Sequence, residues 1–206
     1  HFGYRNIVFS PFTLGGHTIA GAGLELTPGK FRFGFMYGRL FRAVQAIGNP
    51  DGTFVQTPTF KRNAFSTKIG YGTDDNFVDL IMLKGQDDEN SINYTTTQTE
   101  IVPAENLVVG IYSKQKFLEK FRFELELAQS LYTSNINTVQ PDTIDEGILI
   151  KPFSSMVNHK NSSSTYSSAL ETSLGYEQEH LGLRVKFRKV DPNYQSMGSY
   201  FFQNDL

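Results

Sequence analysis

The 206-residue chain carries 19 Lys plus Arg against 21 Asp plus Glu, a formal net charge of -2, with 39% hydrophobic and 14% aromatic residues. It is long enough for one domain, too apolar and aromatic for a disordered segment, and too evenly charged for a non-specific nucleic-acid binder. Cys is absent, which excludes disulfides, Cys-ligated zinc and thiol catalysis together. No run of about 18 apolar residues occurs, which excludes a membrane-spanning helix but not a spanning strand, whose alternation dilutes its apolar residues.

The chain opens on HFGYRNIVF and stops on GSYFFQNDL as a new aromatic, extended segment begins. With no start Met, no basic n-region and no apolar h-region at the front, it is expected to be an internal segment of a longer chain, truncated at both ends.

Between these ends the dominant signal is period two, the alternation of half-buried strands. TIAGAGLEL sets Ala20, Ala22, Leu24 and Leu26 against Ile19, Gly21, Gly23 and Glu25. FRFGFMYG sets Phe31, Phe33, Phe35 and Tyr37 against Arg32, Gly34 and Met36. KRNAFSTKIGY, with Lys68, and FVDLIMLK are fainter, and the second is apolar on both faces. VVGIY predicts a short strand near 108–112, and KQKFLEKF, near 114–121, at best one helical turn. FRFELELA is the clearest strand, with Phe121, Phe123, Leu125 and Leu127 opposite Arg122, Glu124 and Glu126. YSSALETSLGY sets Tyr166, Leu170, Leu174 and Tyr176 against small residues and Glu171, and LGLRVKFRK sets Leu181, Leu183, Val185 and Phe187 against Arg184, Lys186 and Arg188. The pattern predicts an all-β chain of roughly eight to ten antiparallel strands.

Connection lengths alternate. TPGK at 27–30, GTDDN at 72–76 and EQEH at 177–180 are tight turns, whereas 43–59, 85–106 and 134–162 are long and polar. Every second connection therefore lies at one end of the sheet, the asymmetry of an up-and-down transmembrane β-barrel. Phe31, Tyr71, Phe77, Phe121 and Tyr176 lie near the short turns, and Tyr37, Phe41, Tyr132 and Tyr166 near the opposite strand ends, where interfacial girdles would sit. In that frame Phe31, Phe33, Phe35, Phe121, Phe123, Leu125, Leu183, Val185 and Phe187 face lipid. Arg32, Lys68, Arg122, Glu124, Glu126, Glu171, Arg184, Lys186 and Arg188, too many charges for a dry core, face a lumen.

HTIAGAGLELTPGKFRFGFMYGRLFRAV, KIGYGTDDNFVDLIMLKGQDDENSI, VPAENLVVGI and VKFRKVDPNYQSMGSYFFQNDL resemble segments of large outer-membrane β-barrel proteins of the Bacteroidota type. The resemblance covers most of the chain outside 134–162. It implies a Gram-negative outer-membrane location, an interior portion of a barrel, and no catalytic residue.

Motifs for covalent chemistry are missing: GxSxG, Walker A, GxGxxG and HExxH do not occur. His1, His17, His159 and His180 lack zinc-ligand spacing. GAG at 21–23 sits mid-strand and predicts close strand packing. Asp74 and Asp75, and more so Asp87, Asp88 and Glu89, are weak Ca²⁺ candidates whose ordinary reading is a turn and a solvated loop base. The lumenal charges are the most functional-looking group, set either to govern ion preference or to plug a small lumen by pairing.

The expected function is therefore a pore, a porin-like transporter wall or a scaffold of an outer-membrane assembly. No enzymatic activity and no cofactor are expected. The expected partners are the bilayer with its lipopolysaccharide and other outer-membrane proteins, and not nucleic acid. The rivals are a soluble β-sandwich binding module, for example for carbohydrate, and an outer-membrane enzyme.

Overall fold

A computed structural model describes residues 2–48, 54–93, 101–139, 147–178 and 181–199. Its strands are β1 (Phe2–Asn6), β2 (Thr18–Leu26), β3 (Phe31–Phe41), β4 (Ile47–Gly48), β5 (Phe54–Gln56), β6 (Lys61–Gly72), β7 (Phe77–Asp88), β8 (Glu105–Phe117), β9 (Phe121–Thr133), β10 (Ser164–Gln178) and β11 (Leu181–Val190). Nine form one sheet in the order β1-β2-β3-β6-β7-β8-β9-β10-β11, every neighbour antiparallel, while β4 and β5 make a small hairpin inside a long connection. The chain is thus an all-β, up-and-down meander. Among the described residues β1 and β11 do not pair with each other, so the sheet is open.

The alternation of connections is complete. Short turns join β2 to β3, β6 to β7, β8 to β9 and β10 to β11, and long segments join the rest at the opposite end. The helical turn expected near 114–121 is instead the end of β8, a three-residue turn and the start of β9. Phe117 pairs with Phe121 across that turn, their rings stacked with centroids 5.4 Å apart. Leu118 and Glu119 hold φ of 51° and 58°, the left-handed region that L side chains rarely adopt.

Cross-strand pairing fixes the facing, since partners in register share a face. One row runs Phe31, Tyr71, Val78, Ser113, Leu125, Thr172, Phe187, and the next runs Leu26, Phe33, Ile69, Leu80, Ile111, Leu127, Leu170. The opposite face carries the row Arg32, Gly70, Asp79, Tyr112, Glu126, Glu171, Arg188. All nine expected apolar positions lie on the first face and all nine expected charges on the second.

The apolar face stays bare toward the short turns. Phe31 is 65% exposed, Ile69 58%, Leu183 60% and Val185 74%, with Phe121, Phe123 and Leu125 half-buried beside them. Toward the long connections the same face is covered. Residues 147–163 fold back so that Ile150 and Val157 pack on Leu107, Val109 and Leu131, with Gln129 Oε1 accepting from the backbone N–H of Leu149 at 2.9 Å. Of segment 134–162, read from the sequence as a long polar connection, the described part from 147 onward thus contributes a cover to the sheet.

Three aromatic assignments change. Phe77 is buried on the charged face, its ring 4.1 Å below the Arg32 guanidinium and edge-on to Tyr112. Phe41 and Tyr132 also turn to the charged face and pack on its core. Phe77 and Tyr132 are one position out of step with the apolar alternation of their strands, which reverses the face, while Phe41 is turned over by the register shift that follows Arg39.

Candidate functional site

The charged face divides into two zones. Near the short turns its charges pair between adjacent strands and across one intervening strand. Arg32 Nε and Nη2 donate to both carboxylate oxygens of Asp79, at 2.9 and 3.2 Å, and Nη1 reaches Asp74 at 3.3 Å. Gly70 makes this fork possible, because a Cβ there would overlap the Asp79 carboxylate. Lys68 donates to Glu25 at 2.8 Å, Arg184 to Glu124 at 2.8 Å, and Lys186 lies 2.7 Å from Glu171, with Arg188 3.7 Å from the same carboxylate. Arg122 lies 3.7 Å from Glu177. Eight of the nine expected charges are thus engaged in ion pairs, some between adjacent strands (Glu171 with Lys186 and Arg188) and some across one intervening strand (Arg32, Lys68, and Arg184 with Glu124).

Toward the long connections, two segments lie on the charged face and fill it. Residues 7–17, between β1 and β2, and residues 191–199, after β11, join the sheet in one core through Phe9, Phe12, Leu14, Tyr194 and Met197. Glycines on the sheet seat them: a Cβ at Gly34 would meet the Phe9 ring at 2.9 Å, one at Gly85 Met197 at 2.9 Å, and one at Gly110 Thr13 at 3.2 Å. The two segments also bind each other, with Gly15 N–H to Gly198 O at 2.9 Å, Ser196 Oγ to Thr13 O at 2.6 Å and Tyr194 Oη to Phe12 O at 2.8 Å. Burial, with the Glu126 charge nearby, pushes the Tyr194 phenol well above its ordinary pKa, so it remains a donor.

Glu126 departs from the pairing of its neighbours. It is buried and anchors the first segment, accepting from Ser10 Oγ and from Phe12 N–H, the latter at 2.8 Å. Asn106 anchors the second, accepting from Met197 N–H at 2.9 Å, and Ser130 donates to Gln195 O at 2.6 Å. A cleft of about 290 Å³ remains beside Pro11, floored by Glu124, Glu126, Glu171, Arg184 and Lys186. His17, closing the first segment, is buried edge-on to Phe41, and burial, then Arg62, lowers its pKa to about 4.

The Ca²⁺ candidates are engaged elsewhere. Asp87 and Asp88 belong to β7: Asp87 accepts from Arg62 Nε and Nη2, at 2.7 and 2.9 Å, and from the Ala104 N–H at 3.1 Å, and Asp88 pairs with Lys61 at 2.9 Å. Glu89 opens a 3-10 turn, and among the described residues no three His, Asp or Glu side chains gather at metal-holding distance. His1 and His180 lie outside the described residues.

One charged cluster was illegible in the sequence. On the apolar face, under residues 147–163, Lys84 and Glu105 form a buried ion pair. Glu105 also accepts from the N–H of Asn158 at 3.1 Å, the N–H of His159 at 3.0 Å and His159 Nδ1 at 3.0 Å, while Lys84 donates to Met156 O at 2.8 Å. This hub fastens the cover to the sheet.

Compared with family models, curated proteins and solved structures, the chain gives no match.

Proposed function

We propose that this chain is part of the wall of an outer-membrane β-barrel in a Gram-negative bacterium of the Bacteroidota type. The sheet's bare face meets lipid, its charged face lines the lumen, and its short turns point to the periplasm. The observation that carries this reading is the continuous exposed apolar face across the sheet, backed by a face of paired charges. Soluble monomers rarely leave contiguous apolar surface of more than a few hundred Å² uncovered. In a soluble sandwich a second layer would cover Phe31, Phe33 and Val185; here residues 147–163 cover only the end near the long connections. Strands of 9 to 15 residues from β2 to β11 in the main sheet suffice to cross a hydrocarbon core.

Within that class the docked segments favour a plugged wall or scaffold over an open pore. Residues 7–17 and 191–199 occupy the lumenal face with interlocked hydrogen bonds, and the remaining charges neutralise one another within a few ångströms. The test is to express the protein with its native flanks, fractionate membranes, and look for detergent extraction with a heat-modifiable gel shift. Planar-bilayer recordings should then show a closed or rarely open channel. A protein that is soluble and monodisperse without detergent overturns the reading.

A further inference from the structure

The apolar face ends, toward the long connections, in a groove of about 290 Å³ between Tyr37 on β3 and the cover residues Met156 and Asn158. Phe65 and Asn63 on β6 form its floor. Its polarity runs in one direction. The row Tyr37, Phe65, Lys84 continues into Phe35, Thr67, Met82 on the bare side, and into Arg39, Asn63, Gln86 on the other. The end toward the short turns is therefore apolar, the far end is lined by the Asn63 and Gln86 amides, and Arg39 stands just outside that lining, opposite Asn63 in register.

Arg39 is the residue without an explanation. It is half-buried on the apolar face, flanked in register by the neutral Ala20 and Asn63, and makes no ion pair or side-chain hydrogen bond among the described residues. The carboxylates on the same face near this end are occupied, Asp88 by Lys61 and Glu105 by Lys84 and the cover. A cation held at the edge of an apolar face without a counter-ion among the described residues is open to an external anion, and a guanidinium suits a phosphate through paired N–H donors.

Resting on the membrane reading above, we infer that this groove binds one phosphate-bearing anionic lipid of the surrounding leaflet, its headgroup at Arg39 and an acyl chain along Phe65 toward Thr67. Asn63 and Gln86 supply amide donors beside the guanidinium. Lys84, which also lines the groove, is neutralised by Glu105, so the anion's charge is left to Arg39.

The experiment uses the protein with its native flanks, cysteine-free except for a bimane label at Thr67→Cys or, as a reference on bare β11, at Val185→Cys. It is reconstituted in phosphatidylcholine vesicles containing nitroxide-bearing phosphatidylglycerol or nitroxide-bearing phosphatidylcholine. At position 67 the anionic quencher should bind about fivefold better than the zwitterionic one, the scale of one interfacial Arg. Arg39→Gln should bring that ratio to one and Arg39→Lys should keep most of it, each variant retaining its heat-modifiable shift. At position 185 the two quenchers should act equally. Equal quenching at position 67 with position 185 quenched overturns the groove and leaves the membrane reading standing. Absence of quenching at both positions overturns the membrane reading and the groove with it.

Discussion

Glu105→Ala should release the cover from the sheet without dismantling the sheet. Glu105 is fully buried and receives the Lys84 ammonium, two backbone N–H groups and the His159 ring. Removing one partner of a buried pair costs about 3–5 kcal/mol, because the other charge stays behind without compensation. The orphaned Asn158 and His159 amides add about 1 kcal/mol or more each if they remain buried. The chain avoids the full penalty by lifting residues 147–163 into water, which sacrifices the packing of Ile150 and Val157 on Leu107, Val109 and Leu131. The net change in the opening equilibrium is therefore near the lower figure, about 3 kcal/mol, or roughly a hundredfold in opening. Lys160 lies in the cover and is followed by Asn161, whereas Lys151 precedes Pro152 and resists trypsin, so limited trypsinolysis of the detergent-extracted protein reads that opening at Lys160. Cleavage there should accelerate by about two orders of magnitude while the heat-modifiable shift persists. The double variant Lys84→Met, Glu105→Leu, which removes both charges and fills the space, should recover most of the protection. Unchanged cleavage in Glu105→Ala, or a double variant as labile as the single one, would refute the reasoning.

Other perturbations address separate parts of the chain. Gly34→Leu drives a side chain into the position of the Phe9 ring and should expel residues 7–17, seen as longer or more frequent openings in planar bilayers. His17 is held neutral in the fold at a pKa of about 4, against 6.5 when unfolded, so its contribution is complete above pH 6.5 and falls away as pH drops toward 4. The loss reaches at most about 3 kcal/mol, and His17→Phe should flatten that stretch of an acid-unfolding curve. Replacing Leu118 and Glu119 by Asn and Gly should raise thermal stability by about 1–2 kcal/mol, because both positions hold positive φ that these residues accept. An unchanged melting temperature would mean the turn stores no such strain.

The strands β3, β9 and β11 were legible because, toward the short turns, at least one of their faces is left uncovered. In β3, β9 and β11 apolar and charged positions alternate along the strand, and the register sets Phe33 and Val185 on one face of the sheet and Glu124 on the other. The central strands were faint for a physical reason. Around Val108 and Val109 the charged face lies under the docked segments and the apolar face under residues 147–163, so both faces are dry and period two vanishes. That is why VVGIY suggests a short strand while β8 runs for 13 residues. The turn at 118–120 was illegible because it lacks the Gly or Asn that left-handed φ ordinarily demands. The alternation of FRFELELA gave the face of Glu126, but nothing local signalled that Glu105 and Glu126 would be buried. Each takes backbone donors from a segment more than fifty residues away, and only the docking of that segment makes burial of the carboxylate tolerable.

The two exposed edges of the sheet constrain any membrane role more tightly than its faces do. In hydrocarbon an unpaired strand edge leaves N–H and C=O groups without water, at several kcal/mol for each group. On the membrane reading β1 and β11 must therefore each meet another strand, whether of the same barrel or of a partner. The side chains of β11 state what its neighbour should look like. Leu183, Val185 and Phe187 require apolar residues on the lipid side. On the lumenal side Arg184, Lys186 and Arg188 share only Glu124 and Glu171 as carboxylates, three cations against two anions. A neighbour alternating apolar and acidic residues satisfies both faces at once, and one alternating apolar and basic residues would set like charges directly opposite across the ladder. Pairing at β11 is thus selected by charge on one face and by hydrophobicity on the other, which fixes its register, since a slip of one residue exchanges the two sets.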